Sequence, residues 1–321
     1  MNVYDFDETI YNGDSTRDFY FFCLKKYPRI ALLWPYQLFH FLLFAAGFHK
    51  KTAFKERFYR FFRLVPDMEK AVSDFWDRHF CNIKKWYLDT KKPDDVIVSA
   101  SPAFLLEIPC RKLGIPAPIA SLADMHTGKY QGENCYGEEK PPRFYAVYPE
   151  GKVDAFYSDS LSDTPLARLA KESYIVKGEM LIPWEEYTPS RLSRLKKTFL
   201  SPSFIRFLLV GGLSTLATTF FAVLYEKWIS VPVLAFAVGY FTTLVLSFFV
   251  NCGFTFGAKP SFAKYIKYIV SYIPNFLIQC FSVFLLHHVL GLWEIIAYLL
   301  AAIIGVPVTY LLMKVFTFKK Q

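Results

Sequence analysis

The pattern of hydrophobic positions divides this chain into two different halves. In the first half, short apolar runs such as "NVYDFD", "DVIVSAS", "AFYSDSLSD" and "SYIVKG" lie between helical stretches. After Ser203, four uncharged apolar stretches follow, at roughly 207–225, 231–251, 268–287 and 295–313. Strands that alternate with helices predict an open parallel α/β sheet, and stretches of about 20 apolar residues predict four transmembrane helices.

These patterns predict a soluble domain over residues 1–190, a basic linker over 191–203 and a membrane domain over 204–321. The membrane half repeats itself, because "FIRFLLVGG" at 204 resembles "YIKYIVSYI" at 265, and "FTF" at 254 recurs at 316. Two helix pairs with one orientation favour a substrate path at their interface. The polar residues of the spans either line this path or bond across helices; they are Thr215, Thr218, Thr219, Asn251, Asn275 and Gln279.

Composition and charge point to a membrane rather than to nucleic acid. Hydrophobic residues make up 53% of the chain, and the net charge is +9. The basic residues cluster at 49–63 and 191–197, beside apolar helices, which favours anionic lipid as the partner. Basic residues before the first span, between the second and third, and after the fourth place both termini in the cytoplasm. They are Arg191, Arg194, Lys196, Lys197, Arg206, Lys259, Lys264, Lys267, Lys319 and Lys320.

The first domain is expected to be cytoplasmic as well. Asp5 and Asp7 lie where the apolar region of a signal peptide would have to be. The six cysteines show no metal or redox spacing and require no oxidising compartment. We therefore expect a multi-pass protein of the cytoplasmic membrane.

Two carboxylates one residue apart end the first predicted strand. Ligands bind at the carboxyl edge of open parallel sheets, so Asp5 and Asp7 mark a candidate site. Ser99 follows the run "DVIV", Lys140 ends "GENCYGEEK", and Asp159 and Asp163 close "YSDSLSD". With "DFDET", these segments resemble the haloacid dehalogenase-like (HAD) phosphatases, in the branch related to phosphoserine phosphatase, over about residues 1–185.

The resemblance implies a Rossmann-like α/β domain with a helical cap at about 14–92 and an aspartyl-phosphate mechanism. Asp5 would be the nucleophile and Asp7 the general acid and base, while Ser99 and Lys140 would bind the phosphate. Mg2+ would be held by Asp5, the backbone carbonyl of Asp7, and Asp159.

The roles of several neighbouring residues are less specific. Asp163 either contacts the metal, supports one of its ligands, or caps the helix that starts at Thr164. Thr9 is expected to stabilise a turn. Ser101 is read as a turn residue before Pro102, and Asp14 and Arg17 as the start of a helix.

The cap contains an unusual apolar segment. "IALLWPYQLFHFLLFAAGF" (30–48) carries no formal charge and is long enough to span a bilayer. One crossing would separate Asp5 from Ser99, so the segment must lie in the interface, re-enter, or pack within the cap. Over residues 51–65, an apolar stripe accompanies basic residues, which favours a helix lying on anionic lipid, with an internal cap helix as the alternative. The stripe is Phe54, Phe58, Phe61 and Val65, and the basic residues are Lys55, Arg57, Arg60 and Arg63.

In the membrane half, "FIRFLLVGGLST", "SFFVNCGFTF" and "VTYLLMKVFTF" resemble the GtrA-like family over roughly residues 200–320. This resemblance implies a lipid-phosphate ligand, because the family is associated with moving polyprenyl-phosphate-linked sugars across membranes.

Together these observations predict a membrane-associated, Mg2+-dependent phosphatase. Its expected substrate is a polyprenyl-phosphate-linked sugar phosphate of polysaccharide or cell-wall synthesis, such as polyprenyl-phosphoribose 5-phosphate. One alternative is a phosphatidylglycerophosphate-type phosphatase with the GtrA-like domain as anchor, and another is a transporter with a regulatory HAD-like module. Pairing of two chains through the membrane domain is left open.

Overall fold

A computed structural model describes residues 1–318, apart from the side chains of residues 294, 295, 298, 299 and 302. The chain forms two compact units, Met1–Pro189 and Ser190–Gln321. The first unit is an α/β domain, and the described part of the second is helical. The predicted fold class is therefore confirmed.

A six-stranded sheet forms the centre of the first unit within residues 1–318. Its strands are β1 (Asn2–Tyr4), β2 (Val96–Pro102), β3 (Ile119–Ser121), β4 (Val153–Ser158), β5 (Ala170–Lys177) and β6 (Met180–Pro183). Their order is β3-β2-β1-β4-β5-β6, and all neighbours are parallel except β5 and β6. The apolar runs predicted β1, β2, β4 and β5, whereas β3 and β6 are short strands without a comparable run.

The position of β1 between β2 and β4 decides where a ligand can bind. The chain proceeds outward from β1 through β2 to β3, and then continues on the other side of β1 with β4. At such a switch in strand order, the loops diverge and leave a crevice at the carboxyl ends of the strands. Asp5 follows β1 and Asp159 follows β4, so both flank this crevice.

The predicted helical cap lies in the chain between β1 and β2. Its helices are α1 (Ser15–Lys26), α2 (Trp34–Ala45), α3 (Lys51–Phe58), α4 (Met68–His79) and α5 (Lys85–Thr90), with 3-10 turns at Pro28–Leu33, Tyr59–Leu64 and Phe80–Asn82. The remaining helices of this unit are α6 (Ala103–Leu113), α7 (Lys140–Val147) and α8 (Thr164–Ala167), with 3-10 turns at Gly137–Glu139 and Leu161–Asp163. Asp14 and Asp67 start α1 and α4 by accepting hydrogen bonds from the backbone N–H groups of Arg17 and Lys70.

Aromatic packing fixes the cap on the sheet. Phe6, directly after β1, contacts Trp76 of α4 edge to face, with ring centroids 5.8 Å apart. The indole Nε1 of Trp76 donates to the backbone carbonyl of Leu105 at 2.6 Å. Both rings are fully buried, so this contact holds α4 against the sheet and against α6.

The apolar segment 30–48 does not form a single membrane-spanning helix. A 3-10 turn precedes α2, whose 12 residues extend for only about 18 Å, less than the roughly 30 Å of a hydrocarbon core. Gly47, at φ 80°, follows the end of the helix. Large apolar side chains of α2 remain exposed, including Leu38 at 59% and Phe41 at 49%. Such a face is typical of a segment that lies at a membrane interface.

The stripe expected on one lipid-facing helix over residues 51–65 does not lie on one helix, and its second half is buried. The α-helix stops at Phe58, and Phe61 and Val65 are buried in the core of the cap. Lys55 contacts the backbone carbonyl of Ala100 and the side chain of Asn134 instead of extending outward. The alternative of an internal cap segment therefore agrees with the positions of Phe61 and Val65, whereas Phe54 and Phe58 line an open groove with the exposed apolar residues of α2.

The second unit consists of helices α9 (Arg191–Phe199), α10 (Pro202–Tyr225), α11 (Pro232–Val250), α12 (Phe262–Val270), α13 (Tyr272–Val283) and α14 (Glu294–Leu312). Short π-helical segments extend three of them, at Asn251–Thr255, Phe284–Val289 and Met313–Thr317. The basic segment expected as a linker at 191–203 therefore contains α9 and the start of α10.

Among the described residues, three helices are long and apolar enough to cross a membrane. They are Pro202–Tyr225, Pro232–Thr255 and Phe262–Val289. The third begins six residues before the predicted start at 268. The fourth predicted span, 295–313, coincides with α14, of which several side chains lie outside the described residues. Lys319 and Lys320, used for the predicted orientation, also lie outside them.

Small residues bring the helices of each predicted pair together. A side chain on Gly239 of α11 would collide with the backbone of Ala222 in α10. A side chain on Gly305 of α14 would collide with Asn275 and Gln279 of α13. Small residues at such positions permit the close packing that membrane helices need.

Candidate active site

The loop after β1 positions the two carboxylates. The backbone N–H of Asp5 donates to the carbonyl of Tyr157 at 2.9 Å, which continues the pairing of β1 with β4 by one residue. The carbonyl of Phe6 then accepts from the N–H groups of Ile10 and Tyr11 at 3.0 Å, so the chain turns tightly. Glu8 adopts a left-handed conformation, at φ 56°, within this turn. Asp5 and Asp7 therefore both lie at the carboxyl edge of the sheet.

Lys140 connects two carboxylates at the base of the site. Its ammonium Nζ lies 3.1 Å from Asp5 Oδ1 and 2.7 Å from Asp163 Oδ2. Ser158 Oγ also donates to Asp163 Oδ2, at 2.8 Å. Lys140 is 1% exposed, and this pairing compensates the cost of burying its charge.

Asp163 does not cap the helix that follows it. Its side chain makes no hydrogen bond to the start of α8, although it occupies the position before that helix. Asp163 instead holds Lys140 in place, while its other oxygen, Oδ1, is buried without a hydrogen-bond partner. The sequence left three roles open for Asp163: contact with the metal, support of a metal ligand, and capping of the next helix. These contacts agree with the supporting role.

Both oxygens of Asp7 accept hydrogen bonds. Oδ1 accepts from the backbone N–H of Ser15 at 2.7 Å, and Oδ2 accepts from Ser101 Oγ at 2.5 Å. Ser101 Oγ is also 2.9 Å from Thr16 Oγ1. The carboxylate of Asp7 is thus oriented by the start of α1 and by β2.

The sequence pattern did not identify Ser101 as a site residue. It is not in a turn, because β2 continues through Pro102. The pairing of β2 with β3 shifts register between Ser99 and Pro102, and Ser101 lies within this irregular stretch. The signal was a second serine two residues after Ser99, which alternation along a strand would place on the same face.

Ser99, Thr9 and Asp159 complete this edge of the sheet. Ser99 is buried, and its Oγ accepts from the backbone N–H of Ser101 at 3.2 Å. Thr9 Oγ1 accepts from the backbone N–H of Asp159 at 2.9 Å, which agrees with a structural hydroxyl. This bond ties the loop after β1 to the loop after β4, so Asp159 is held near Asp5.

Burial and crowding of negative charge raise the pKa values of the acidic groups. Burial, opposed by Lys140, raises the pKa of Asp5 to about 7, and burial with the nearby Asp14 raises the pKa of Asp7 to about 6. Burial also raises the pKa of Asp159. Burial alone would lower the pKa of Lys140, but Asp5 and Asp163 raise it above its ordinary value. The site therefore favours cations.

The donor atoms suit Mg2+. Asp5 and Asp159 would provide carboxylates and the backbone of Asp7 would provide a carbonyl, while Asp163 Oδ1 is a buried oxygen without a hydrogen-bond partner. Within residues 1–318, no group of three His, Cys, Asp or Glu side chains forms a complete metal cluster. Mg2+ commonly uses one or two carboxylates and completes its shell with water and substrate phosphate. The residues present fit that pattern.

All six predicted site residues line one pocket of about 630 Å3. They are Asp5, Asp7, Ser99, Lys140, Asp159 and Asp163. Asp14 and Arg17 line it too, although Asp14 also caps α1 as expected. The cap adds two cations that sequence reasoning did not assign to the site, Lys51 and Lys55.

The two added lysines are held differently. Lys55 Nζ donates to the backbone carbonyl of Ala100 at 2.7 Å and to Asn134 Oδ1 at 2.9 Å. Burial lowers the pKa of Lys55 to about 8. Lys51 Nζ lies over the ring of Tyr136, 3.3 Å from its centroid. Both lysines belong to α3, so the cap brings positive charge to the pocket.

An apolar groove of about 740 Å3 adjoins the pocket. It lies between α2 and α3, and Phe54 and Phe58 line both the groove and the pocket. The other lining residues are mostly apolar and include Trp34, Leu38 and Phe41. The polar pocket and the apolar groove thus share two lining residues within one unit.

Comparison with known families agrees with this geometry. Residues 3–168, about half of the chain, match the family of haloacid dehalogenase-like hydrolases. The chain belongs to this family, and it is an enzyme, a hydrolase. Residues 206–318 match the GtrA/DPMS transmembrane domain family, so the second unit is a membrane domain.

Two solved structures resemble the first unit. One is a protein with unknown function from Bordetella pertussis Tohama I, with 16% identity and a TM-score of 0.48, covering 55% of this chain and 88% of that chain. The other is a phosphoserine phosphohydrolase-like protein from Francisella tularensis subsp. tularensis SCHU S4, with 14% identity and a TM-score of 0.37, covering 56% and 89%. None of the curated proteins matches the chain.

Proposed function

We propose that this enzyme removes the terminal phosphate from a polyprenyl-phosphate-linked sugar phosphate at the cytoplasmic surface of the membrane. The observation that carries the proposal is that an acidic pocket and an apolar groove lie side by side and share Phe54 and Phe58 in their linings. A phosphate monoester on a hydrocarbon chain would place its phosphate at Asp5 and its first isoprenoid units along α2. A small soluble substrate would leave the groove empty.

The chemistry follows from the contacts around Asp5. In the first step, the carboxylate of Asp5 attacks phosphorus, and the bond between phosphorus and the sugar oxygen breaks. Asp7 gives its proton to that leaving oxygen. Lys140, within 3.1 Å of Asp5, and Ser99 stabilise the phosphoryl oxygens.

In the second step, Asp7 accepts a proton from water, and the resulting hydroxide attacks the phosphorus of the aspartyl phosphate. Inorganic phosphate leaves, and the Asp5 carboxylate is restored. Asp5, Asp159 and the Asp7 carbonyl would hold Mg2+, whose positive charge would favour attack of one anion on another. Asp163 keeps Lys140 in place through the bond of 2.7 Å.

The cations of the cap support a substrate with a second anionic group. A polyprenyl-linked sugar phosphate has a phosphodiester besides the terminal phosphate. Lys51, Lys55 and Arg17 line the pocket in addition to Lys140. They would neutralise the diester, and the chain would continue into the groove. A regulatory module without catalysis would not require this complete set of residues.

The GtrA/DPMS domain extends the proposal to transport. Membership of a family associated with moving lipid-linked sugars supports translocation of the dephosphorylated lipid by the second unit. Its alternating loop charges support cytoplasmic termini and a cytoplasmic phosphatase unit. If the enzyme instead dephosphorylates a glycerolipid, the same domain would serve only as an anchor.

Phosphate release by the full chain in detergent with Mg2+ tests the proposal. We expect turnover of polyprenyl-phosphoribose 5-phosphate at a higher kcat/KM than phosphatidylglycerophosphate or phosphoserine. Asp5→Asn should abolish turnover, whereas Asp89→Asn, on an exposed residue of α5, should leave it unchanged. Preference for phosphatidylglycerophosphate would replace the proposed substrate with a glycerolipid, and activity on phosphoserine alone would contradict a lipid substrate.

A further inference from the structure

The membrane domain contains a cavity of about 310 Å3 whose lining includes hydroxyl and amide side chains among apolar ones. It is bounded by α10, α11, α12, α13 and α14, and its size lies at the lower end of the range for small-molecule sites, about 300–1,000 Å3. Polar side chains deep among membrane helices are costly and usually serve binding or transport. This cavity therefore requires an explanation beyond helix packing.

A hydrogen-bond network forms one wall of the cavity. Tyr268 OH lies 3.0 Å from Ser247 Oγ and 3.0 Å from Tyr272 OH, and it accepts from Asn251 Nδ2 at 3.2 Å. Asn251 Nδ2 also donates to the backbone carbonyl of Ser247 at 2.9 Å. The side chains of α11 and of the third span are thus held in fixed positions around the cavity.

One acceptor in this network has no partner. Asn251 is 2% exposed, and its Oδ1 is buried without a hydrogen bond in the described structure. A buried carbonyl oxygen that lacks a donor costs free energy, which a ligand hydroxyl would recover. The sequence places Asn251 among six polar residues that either line a path or bond across helices. In the structure it bonds to Tyr268 of α12 and also lines the cavity.

The lining distinguishes between neutral and charged ligands. In the part of the second unit that the structure describes, the cavity is lined by hydroxyl, amide, aromatic and aliphatic groups, and none of the lining residues is Asp, Glu, Lys or Arg. A phosphate monoester would enter without a cation to pair with it, at a large desolvation cost. Hydroxyl groups of a sugar could instead exchange hydrogen bonds with Asn251, Ser247 and Tyr272.

The dephosphorylated lipid still carries a negatively charged phosphodiester, and basic residues lie at one end of the helices. Phe207 and Tyr268 line the cavity and directly follow Arg206 and Lys267 in the chain. A phosphodiester positioned at this end would have cations near it, while the sugar entered the cavity.

We infer that this cavity binds the neutral, hydroxyl-bearing head group of the lipid and excludes the same head group while it carries a terminal phosphate. The inference rests on the proposed function, because the phosphatase reaction then produces the form that the membrane domain accepts. Dephosphorylation becomes the condition for entry into the second unit.

Photo-crosslinking of the full chain tests this selectivity. The probes are polyprenyl-phosphoribose and its 5-phosphate, each with a diazirine on the sugar, applied to the Asp5→Asn variant so that the phosphate persists. We expect the unphosphorylated probe to label peptides within 243–272 at least about tenfold more than the phosphorylated one. Equal labelling by both probes would overturn the inference.

Substitution within the cavity provides the second readout. In the otherwise unchanged chain, Asn251→Leu should reduce labelling by the unphosphorylated probe about tenfold and leave phosphate release unchanged. Thr219→Val is the matched control, because Thr219 lies on α10 outside the cavity lining and its hydroxyl donates to the backbone carbonyl of Thr215. Unchanged labelling of Asn251→Leu would contradict a role for this residue.

The two proposals fail separately. If the enzyme releases phosphate from the lipid but no cavity peptide is labelled, the inference is overturned and the proposed phosphatase function stands. If the unphosphorylated probe labels the cavity but the enzyme does not hydrolyse the lipid phosphate, the proposed substrate is overturned and the cavity remains a head-group site.

Discussion

At the scale of single residues, the site depends on how each carboxylate of the "DFD" segment is held. Asp5 is paired with Lys140, whereas Asp7 accepts hydrogen bonds from Ser15 and Ser101. The two aspartate side chains thus have different surroundings. This difference agrees with a nucleophile at Asp5 and a proton carrier at Asp7.

The Ser101→Ala variant tests whether Ser101 orients Asp7 or binds the substrate. Loss of the 2.5 Å bond would free the Asp7 carboxylate to rotate, so we expect kcat to fall about tenfold while KM changes little. Steady-state kinetics of the full chain measure both values. Ser73→Ala, on an exposed residue of α4, is the control. An unchanged kcat would show that Ser101 does not position Asp7.

Sequence reasoning found the motif residues but not all of their neighbours. Asp5, Asp7, Ser99, Lys140, Asp159 and Asp163 follow apolar runs or turns and therefore could be predicted to lie near one sheet edge. Ser101 depends on a register shift in β2, and Lys55 reaches the pocket from a distant part of the chain. Ser101 has one local signal, its spacing of two residues from Ser99, whereas the contact of Lys55 has none.

At the scale of elements, α2 is the part of the cap that decides access for a lipid. The sequence predicted a long apolar segment here. It did not predict that the α-helix has only 12 residues and follows a 3-10 turn. The stripe at 54–65 was assigned to lipid because apolar periodicity does not distinguish a lipid-facing helix from one buried in a cap. Phe61 and Val65 are in the core, while Leu38 and Phe41 line the groove.

Leu38→Glu should impair turnover of the lipid substrate selectively. Burial of a leucine side chain against the lipid chain contributes about 1.5–3 kcal/mol. Because this contact is lost, we expect kcat/KM for polyprenyl-phosphoribose 5-phosphate to fall at least about tenfold. Hydrolysis of p-nitrophenyl phosphate should be unchanged, because it does not reach the groove.

Val147→Glu is the matched control for this experiment. Val147 is 55% exposed, close to the 59% of Leu38, and lies at the end of α7 away from the groove. An equal loss on both substrates in Leu38→Glu would indicate damage to the fold rather than to a lipid site.

At the scale of the whole molecule, the chain joins a hydrolase unit and a membrane unit whose chemistry is complementary. The first contains a pocket lined by charged residues, and the second contains a cavity whose described lining residues carry no formal charge. The order of the units was predictable from composition, because charged motifs precede the apolar stretches. The cavity was not predictable, since its polar residues come from several helices and their convergence depends on packing.

The central claim is that the substrate phosphate is carried by a lipid. The most direct test compares kcat/KM of the full chain for two compounds with similar phosphorylated sugars, polyprenyl-phosphoribose 5-phosphate and the water-soluble ribose 1,5-bisphosphate. Burial of the first isoprenoid units along α2 predicts a preference of about a hundredfold for the lipid. Equal values, or a preference for the soluble compound, would contradict the account.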